Sequence, residues 1–516
     1  MLKSTAVVGS MTMISRVLGF ARDMVIARLF GADTATDAFF VAFKIPNFLR
    51  RLFAEGAFSL AFVPVLTDYK ENKSEVELKD LIDRVAGTFG LVLFAVTAIG
   101  VISAPILVMA FGPGFLDEPH KYNLAVEMLR VTFPYLFFIA LTAFAGGILN
   151  TFGRFAVPAF TPVLLNICLI AAALWLSPEF EQPIVALAVG VFIAGVAQLL
   201  FQIPFLHRLG LLPRPKWGWK HEGVYKIRTL MIPAIFGSSV AQINLLLDTL
   251  IASFLVTGSI SWLYYSDRLV EFPLGVFGIA LATVILPKLS KDYVTTSAAM
   301  FSLTLDWALR LVWVIAVPAA VGLAVLAGPM LATLFYGGAF TEHDIYMSSL
   351  SLMAYSLGLL GFILVKVLAP GYYARQDTKT PVKIGIKAMG ANMVLNILFV
   401  VPLVMMDFNG THVGLALATA CSAFMNAWML YSGLKKQGVY QPCSGWFMHL
   451  FRVFIASLIM GVVLYYFSEP ISQWVQWGGF ERVLHLFKWL FIGIVCYFGT
   501  LLLSGMKLRT LLKLEQ

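Results

Sequence analysis

Charge is scarce in this chain: only 13% of its 516 residues are Asp, Glu, Lys or Arg, about half the share of a soluble domain. With 59% hydrophobic residues, that composition excludes both an ordinary cytosolic enzyme and a disordered chain. Cysteine is nearly missing. The four present (Cys168, Cys421, Cys443 and Cys496) form no CxxC pair, which excludes a disulfide scaffold and leaves them as small buried hydrophobes. The seven histidines are scattered without metal-ligand spacing, so no zinc site is expected. Walker A, HExxH, GxSxG and Rossmann motifs are all lacking, which argues against an ATP-driven pump or an intramembrane protease.

What fills the chain instead is long uncharged, largely apolar sequence, at 85–116, 155–178, 182–206, 311–341 and 345–365. Each run exceeds the roughly 20 residues that cross a bilayer as a helix. The N-terminus resembles a signal peptide at first, with Lys3 ahead of an apolar stretch, but Arg16 interrupts it and no small-x-small site follows. We therefore read a retained first span in an all-α polytopic membrane protein. About fourteen spans are expected, near 4–30, 34–67, 85–111, 123–150, 158–177, 183–206, 229–256, 261–287, 301–335, 346–370, 384–405, 412–434, 450–468 and 484–505.

Positive charge tests that count. Loops after even-numbered spans are rich in Lys and Arg (Lys70, Lys73, Lys79 and Arg84; Arg208, Arg214, Lys216, Lys220, Lys226 and Arg228), and so are the termini. Loops after odd-numbered spans hold only Lys121 and Arg482, beside many acids. A span miscounted midway would swap every later loop and destroy this segregation. Both termini are thus expected to be cytoplasmic. The net charge of +9 is largely this topology signal, and no nucleic-acid partner is implied.

The two halves repeat. Asp23 pairs with Asp248, Pro46 with Pro273, Pro64 with Pro287, Pro105 with Pro329, and Arg154 with Arg375, all at offsets between 221 and 227 residues. The expected organisation is an N-lobe at 1–210 (spans 1–6), a C-lobe at 211–440 (spans 7–12) and two extra spans at 441–516. An even number of spans per repeat makes the lobes parallel, an arrangement that encloses a central site and alternates access by rocking.

Charges inside the spans mark that site. Spans 1 and 2 carry Arg16, Arg22, Arg28, Lys44, Arg50 and Arg51 against Asp23, Asp37 and Glu55, where each unpaired charge costs roughly 2.5–3.5 kcal/mol at a helix centre. Asp37, Lys44, Arg51 and Glu55 share one stripe of span 2, within about 40° at 100° per residue. In span 8, Asp267, Arg268 and Glu271 precede Pro273, Gly275 and Gly278. Span 2 has matching breaks at Pro46 and Gly56. Such corresponding interruptions point to a transporter's site, with these residues as hinges or gates. One reading is mutual pairing that staples the lobes, through Glu271 with Arg268 and Asp23 with Arg16. The other is an anionic ligand that resolves the positive surplus, and Arg forks suit phosphate. Lys366, alone in span 10, either snorkels toward the cytoplasm or contacts substrate. Asp248, the only charge in span 7, is a protonated core acid or a cation ligand beside Asn392, Asn396 or Thr419.

Four blocks carry a family resemblance: SMTMISRVLGFARDMVIARLFGA, TDAFFVAFKIPNFLRRLFAEGAFSLAFVP, YYSDRLVEFPLGVFG and KVLAPGYYARQDTKTPVK. Through them the chain resembles the MurJ (MviN) family of Gram-negative lipid II flippases, within the multidrug/oligosaccharidyl-lipid/polysaccharide exporter superfamily. The resemblance covers essentially the whole chain. It implies a non-enzymatic flippase that moves the undecaprenyl-pyrophosphate-linked peptidoglycan precursor from the cytoplasmic to the periplasmic leaflet. By that resemblance the family's essential arginines match Arg16, Arg22, Arg51 and Arg268, its cavity acids and lysine match Asp37, Glu271 and Lys366, and spans 13 and 14 groove the polyprenyl tail. A sodium site of some members uses an Asp in span 7, which Asp248 matches.

No cofactor is expected, and the energy source would be the membrane potential or a coupled cation. The expected partners are lipid II, membrane lipids and other cell-wall synthesis and division proteins. Alternatives are an exporter of another anionic or amphipathic solute, and a non-transporting scaffold of the cell-wall synthesis complex.

Overall fold

A computed structural model describes residues 2–52, 58–295 and 298–506. Among these, regular structure is helical throughout, apart from one isolated bridge between Gly337 and Phe340. The chain divides into two compact units, Met1–Ile260 and Ser261–Gln516.

The first unit holds α1 (Leu2–Phe30), α2 (Thr34–Leu49), α3 (Ser59–Asn72), α4 (Glu75–Ile102), α5 (Ala104–Phe111), α6 (Pro119–Thr132), α7 (Tyr135–Thr151), α8 (Ala156–Ala171), α9 (Val185–Arg208) and α10 (Glu222–Ala252). Then α11 (Ser259–Pro273) leads into the second unit, followed by α12 (Ile279–Thr295), α13 (Ala298–Val325), α14 (Ala327–Leu334), α15 (Glu342–Tyr373), α16 (Lys379–Met405), α17 (Val413–Lys436), α18 (Trp446–Phe467), α19 (Ile471–Gln476) and α20 (Gly479–Leu503).

Eleven helical stretches among the described residues are long and apolar enough to cross a membrane, and they coincide with expected spans 3–6 and 8–14. The remaining three, spans 1, 2 and 7, are helical as α1, as α2 with α3, and as α10. This is a multi-pass all-helical membrane protein. Lipid-exposed backbone must satisfy its own hydrogen bonds, and helices do so within each segment.

Local sequence explains where helices begin. Ser74 and Glu77 form a reciprocal capping box at the start of α4, and Thr341 and Asp344 do the same for α15. The core of the first unit is aromatic. Phe58 stacks on Phe62 at 5.0 Å and on Phe89 at 4.1 Å, and Phe144 closes on Phe62 at 5.1 Å. In the second unit small residues bring α15 onto α17: a Cβ at Gly358 would lie 2.7 Å from Ala420 Cα, and one at Gly361 would lie 2.9 Å from the Phe424 backbone nitrogen. Small residues that admit close helix approach are the usual contact surface of membrane helices.

Two spans are interrupted. In span 2 the helix loosens into a π-turn at 50–52, after Pro46. In span 8, α11 ends at Pro273 and a π-helix runs through Leu274–Gly278 before α12 begins. These are the corresponding positions of the two repeats. Single π-turns inside α-helices concentrate at functional sites.

Candidate functional site

The charged residues of spans 1 and 2 separate into two groups in the first unit. The first group surrounds Arg22. Its Nε and Nη2 donate to Asp23 Oδ1 at 3.0 and 2.7 Å, and Nη1 donates to Asn166 Oδ1 on α8 at 3.0 Å. Asp23 is 1% exposed. The expected partner of Asp23 was Arg16, a full two turns away on the same face. The immediate neighbour Arg22 takes that place instead. Arg16 itself is exposed. Asn166 was not foreseen as functional, although a lone amide in the apolar run FTPVLLNICLI was a readable signal, since polar groups at membrane depth need partners.

The second group lies along α2. Lys44 Nζ donates to Thr249 Oγ1 of α10 at 2.6 Å, and Arg50 Nε donates to Asn47 Oδ1 at 2.9 Å. Arg51 is half-buried in the π-turn. Glu55 and Gly56 lie outside the described residues. Asp37, at the opposite end of the stripe, is buried. Its Oδ2 accepts the Gly258 N–H at 2.8 Å and the Lys121 ammonium at 3.4 Å. Lys121 also approaches Thr257 Oγ1 at 3.4 Å and sits 4.6 Å from the Phe115 ring centre. Beside it, Gly114 donates its N–H to Ser253 Oγ, and a Cβ there would lie 2.1 Å from Ser253 O. The stripe thus fastens α2 and α6 to the last turn of α10 and the loop after it.

Lys121 was one of two cations on the acid-rich side of the topology. The other, Arg482, is likewise buried at 8% exposure. It donates to the carbonyls of Trp477, Ala332 and Tyr336, at 2.9, 3.2 and 3.3 Å, and lies over the Tyr336 ring at 4.7 Å. Both exceptions to the charge segregation are therefore internal fasteners rather than surface charges.

In the second unit, Arg268 Nη1 donates to Glu271 Oε2 at 2.6 Å, as the sequence spacing suggested, and the guanidinium lies 4.7 Å from the Tyr264 ring centre. This pair is accessible, with the two side chains 30% and 47% exposed. Asp267 is half-buried beside it. Pro273 and Gly278 are buried and Gly275 is half-buried. Lys366 is exposed on α15, and its Cγ would lie 3.7 Å from a Cβ at Gly278, so the lysine stem runs beside the π-helix.

Asp248 is half-buried near the end of α10. Asn392, Asn396 and Thr419 join one another, through Asn396 to Asn392 at 3.1 Å and Asn392 to Thr419 at 3.4 Å. No group of three or more His, Cys, Asp or Glu suited to a metal occurs among the described residues.

The block KVLAPGYYARQDTKTPVK forms the turn from α15 to α16. Gln376 adopts φ 61°, Tyr372 donates to the Leu430 carbonyl, and Asp377 accepts the Thr380 N–H at 3.0 Å. The Thr380 hydrogen bonds hold the Asp377 carboxyl below its usual range.

The model of the family described as "Lipid II flippase MurJ" matches residues 26–484. A Vibrio cholerae protein named a probable lipid II flippase is 53% identical over 518 aligned residues, spanning 99% of this chain and 97% of its own. The chain belongs to the MurJ family. A Haemophilus influenzae MurJ relative, also named a probable lipid II flippase, is 51% identical over 97% of this chain and 99% of its own. A solved lipid II flippase MurJ in an inward closed conformation superposes with TM-score 0.80 at 28% identity, covering 98% of this chain and 99% of that one. The fold extends further: a multidrug resistance MATE transporter of the MOP superfamily superposes with TM-score 0.68 over 84% of this chain at 14% identity. At that identity the likeness is one of architecture alone.

Proposed function

We propose that this chain flips lipid II, carrying the undecaprenyl-pyrophosphate-linked precursor from the cytoplasmic to the periplasmic leaflet of the bacterial inner membrane. The observation that carries this reading is the 53% identity with a probable lipid II flippase over nearly the full length of both chains.

The charge arrangement supplies a physical basis. Asp37, one of three acids in spans 1 and 2, also faces Lys121 of α6, which brings a further cation to the six those spans carry. Among the remaining acids, Asp23 answers Arg22. The positive surplus therefore persists, and a pyrophosphate bearing two phosphoryl groups would neutralise it. Arg22, Arg51 and Arg268, with Arg16 and Lys44, are assigned to that headgroup, because planar guanidinium forks bind phosphate oxygens in pairs. Glu271, on α11 of span 8, and Lys366, on α15, lie beside the break in that span.

The prenyl tail stays in lipid while the headgroup crosses. The parallel repeat and the paired π-turns support alternating access, with the breaks near Pro46 and Pro273 as hinges. An inside-negative potential favours export of negative charge by about 2.3 kcal/mol per charge per 100 mV. Cytoplasmic termini and contacts with other cell-wall and division proteins belong to the same reading.

The test is depletion of the protein followed by measurement of lipid II sidedness. Lipid II should accumulate in the cytoplasmic leaflet. An unchanged leaflet distribution on full depletion would overturn the reading.

A further inference from the structure

We infer that Asn166 is a positioning residue for the Arg22 guanidinium, and so for recognition of the substrate pyrophosphate. This rests on the flippase reading above. Asn166 stands on α8 and is 5% exposed. Its amide is used at both ends: Oδ1 accepts from Arg22 Nη1 at 3.0 Å, and Nδ2 donates to the Ser15 carbonyl of α1 at 3.0 Å. The amide plane is thereby fixed, with the acceptor turned to Arg22 and the donor turned away.

Gly19 of α1 lies beside the amide. A Cβ there would lie 3.5 Å from Nδ2 and 3.7 Å from Oδ1, so the amide rests against the α1 surface between Ser15 and Arg22. Asp23 Oδ1 holds the Nε–Nη2 edge of the guanidinium while Asn166 holds Nη1. Two acceptors on different edges determine the plane of the fork. Asp23 alone, as the next residue on the same helix, would fix one edge and not the plane. Because bidentate phosphate binding depends on that plane, the neutral amide orients the cation without cancelling its charge. A carboxylate at this position would orient it equally well and compete with the ligand.

A merely structural alternative is that Asn166 ties α8 to α1 through Ser15. A double-mutant cycle separates the two. Lipid II binding is measured on the full-length protein in detergent for wild type, N166L, R22K and N166L/R22K, with melting temperature followed in parallel. Lysine is a point charge with no plane to orient. N166L should therefore weaken binding about tenfold or more when Arg22 is intact, the scale of a lost hydrogen bond to a charged group. In the R22K background it should add less than about twofold.

Equal losses in both backgrounds would overturn the inference, and so would wild-type binding by N166L. Should N166L fail to fold, N166D keeps the size and the acceptor. Compared well below the melting temperature of both proteins, it should bind lipid II at least tenfold more weakly, and wild-type affinity of N166D would also overturn the inference. Wild-type protein that binds no lipid II would instead overturn the flippase reading, and this inference with it.

Discussion

Asp37 and Lys121, each with a side chain 2% exposed, face one another at 3.4 Å where α2 meets α6. The same carboxylate takes the Gly258 N–H, so one acid ties together two helices and the loop that follows α10. A buried pair of this kind contributes little over an apolar pair, but losing one partner strands the other. Lys121→Met should lower stability by about 3–5 kcal/mol. The double replacement Asp37→Leu with Lys121→Met should recover part of that loss, less about 1–3 kcal/mol for the Gly258 N–H that loses its acceptor. Thermal unfolding of purified protein in detergent reads both, and a single variant as stable as wild type would contradict the pairing.

The arginines make a different prediction. Arg22→Ala, Arg51→Ala and Arg268→Ala should each abolish or severely reduce flipping in reconstituted vesicles while the protein still inserts at normal levels. Lysine should rescue poorly at position 22, where Asp23 and Asn166 hold a planar fork, because an ammonium cannot fill both edges. Wild-type rates for all three alanine variants would remove phosphate recognition from these side chains.

Much of this was legible in the sequence, and for stated reasons. Spans follow from apolar length. The paired interruptions follow from Pro46 and Pro273 and appear as π-turns at 50–52 and at Leu274–Gly278. The Arg268–Glu271 pair was visible because its partners sit one turn apart on one helix. Partners from different helices were not. Asp37 with Lys121, Lys44 with Thr249 and Arg22 with Asn166 are separated by 84, 205 and 144 residues. Helical periodicity says which face a charge occupies, not what a distant helix brings to it. Lys121 and Arg482 did announce themselves as cations on the acid-rich side, and burial is why the charge segregation tolerates them.

Orientation is testable at the loop between α8 and α9. Ser177, at its start, is only 7% exposed and donates to the Pro183 carbonyl, so a reporter there would be shielded whatever the topology. Gln182 is exposed. In a variant lacking the four native cysteines, Gln182→Cys should react with an impermeant thiol reagent added to the periplasmic side of intact cells. Lys220→Cys should react only after the inner membrane is opened. The reverse pattern would invert the assigned orientation.

The turn between α15 and α16 predicts a pH dependence. Asp377 is held below its ordinary carboxylate value by Thr380. A lowered folded-state value means the stabilisation is present above the unfolded pKa, about 3.9, and is lost as pH falls through the folded value. Asp377→Ala should destabilise by about 1 kcal/mol at neutral pH, the usual loss for a helix-start acceptor. The gap between variant and wild type should close below about pH 4. A gap that persists undiminished in acid would show that the carboxylate charge is not what holds the turn.

The last prediction joins the fold to the transport cycle. Asp37 Oδ2 accepts the Gly258 N–H at 2.8 Å, so the first turn of α2, just past the loop after α1, meets the loop before α11 on the side assigned to the periplasm. Access from that side requires these loops to separate, if the parallel repeats alternate as proposed. The neighbouring positions Ala32, half-buried, and Ser259, fully buried, are where a covalent link would prevent separation. A cysteine pair at Ala32 and Ser259, in the cysteine-free variant, should crosslink in substrate-free protein. The crosslink should stop lipid II flipping, and reduction should restore it. Asp37→Ala should lower the crosslinking yield, because it removes the acceptor that draws Gly258 toward α2. Quantitatively crosslinked protein that still flips lipid II at the wild-type rate would mean that transport does not pass through an opening of these loops.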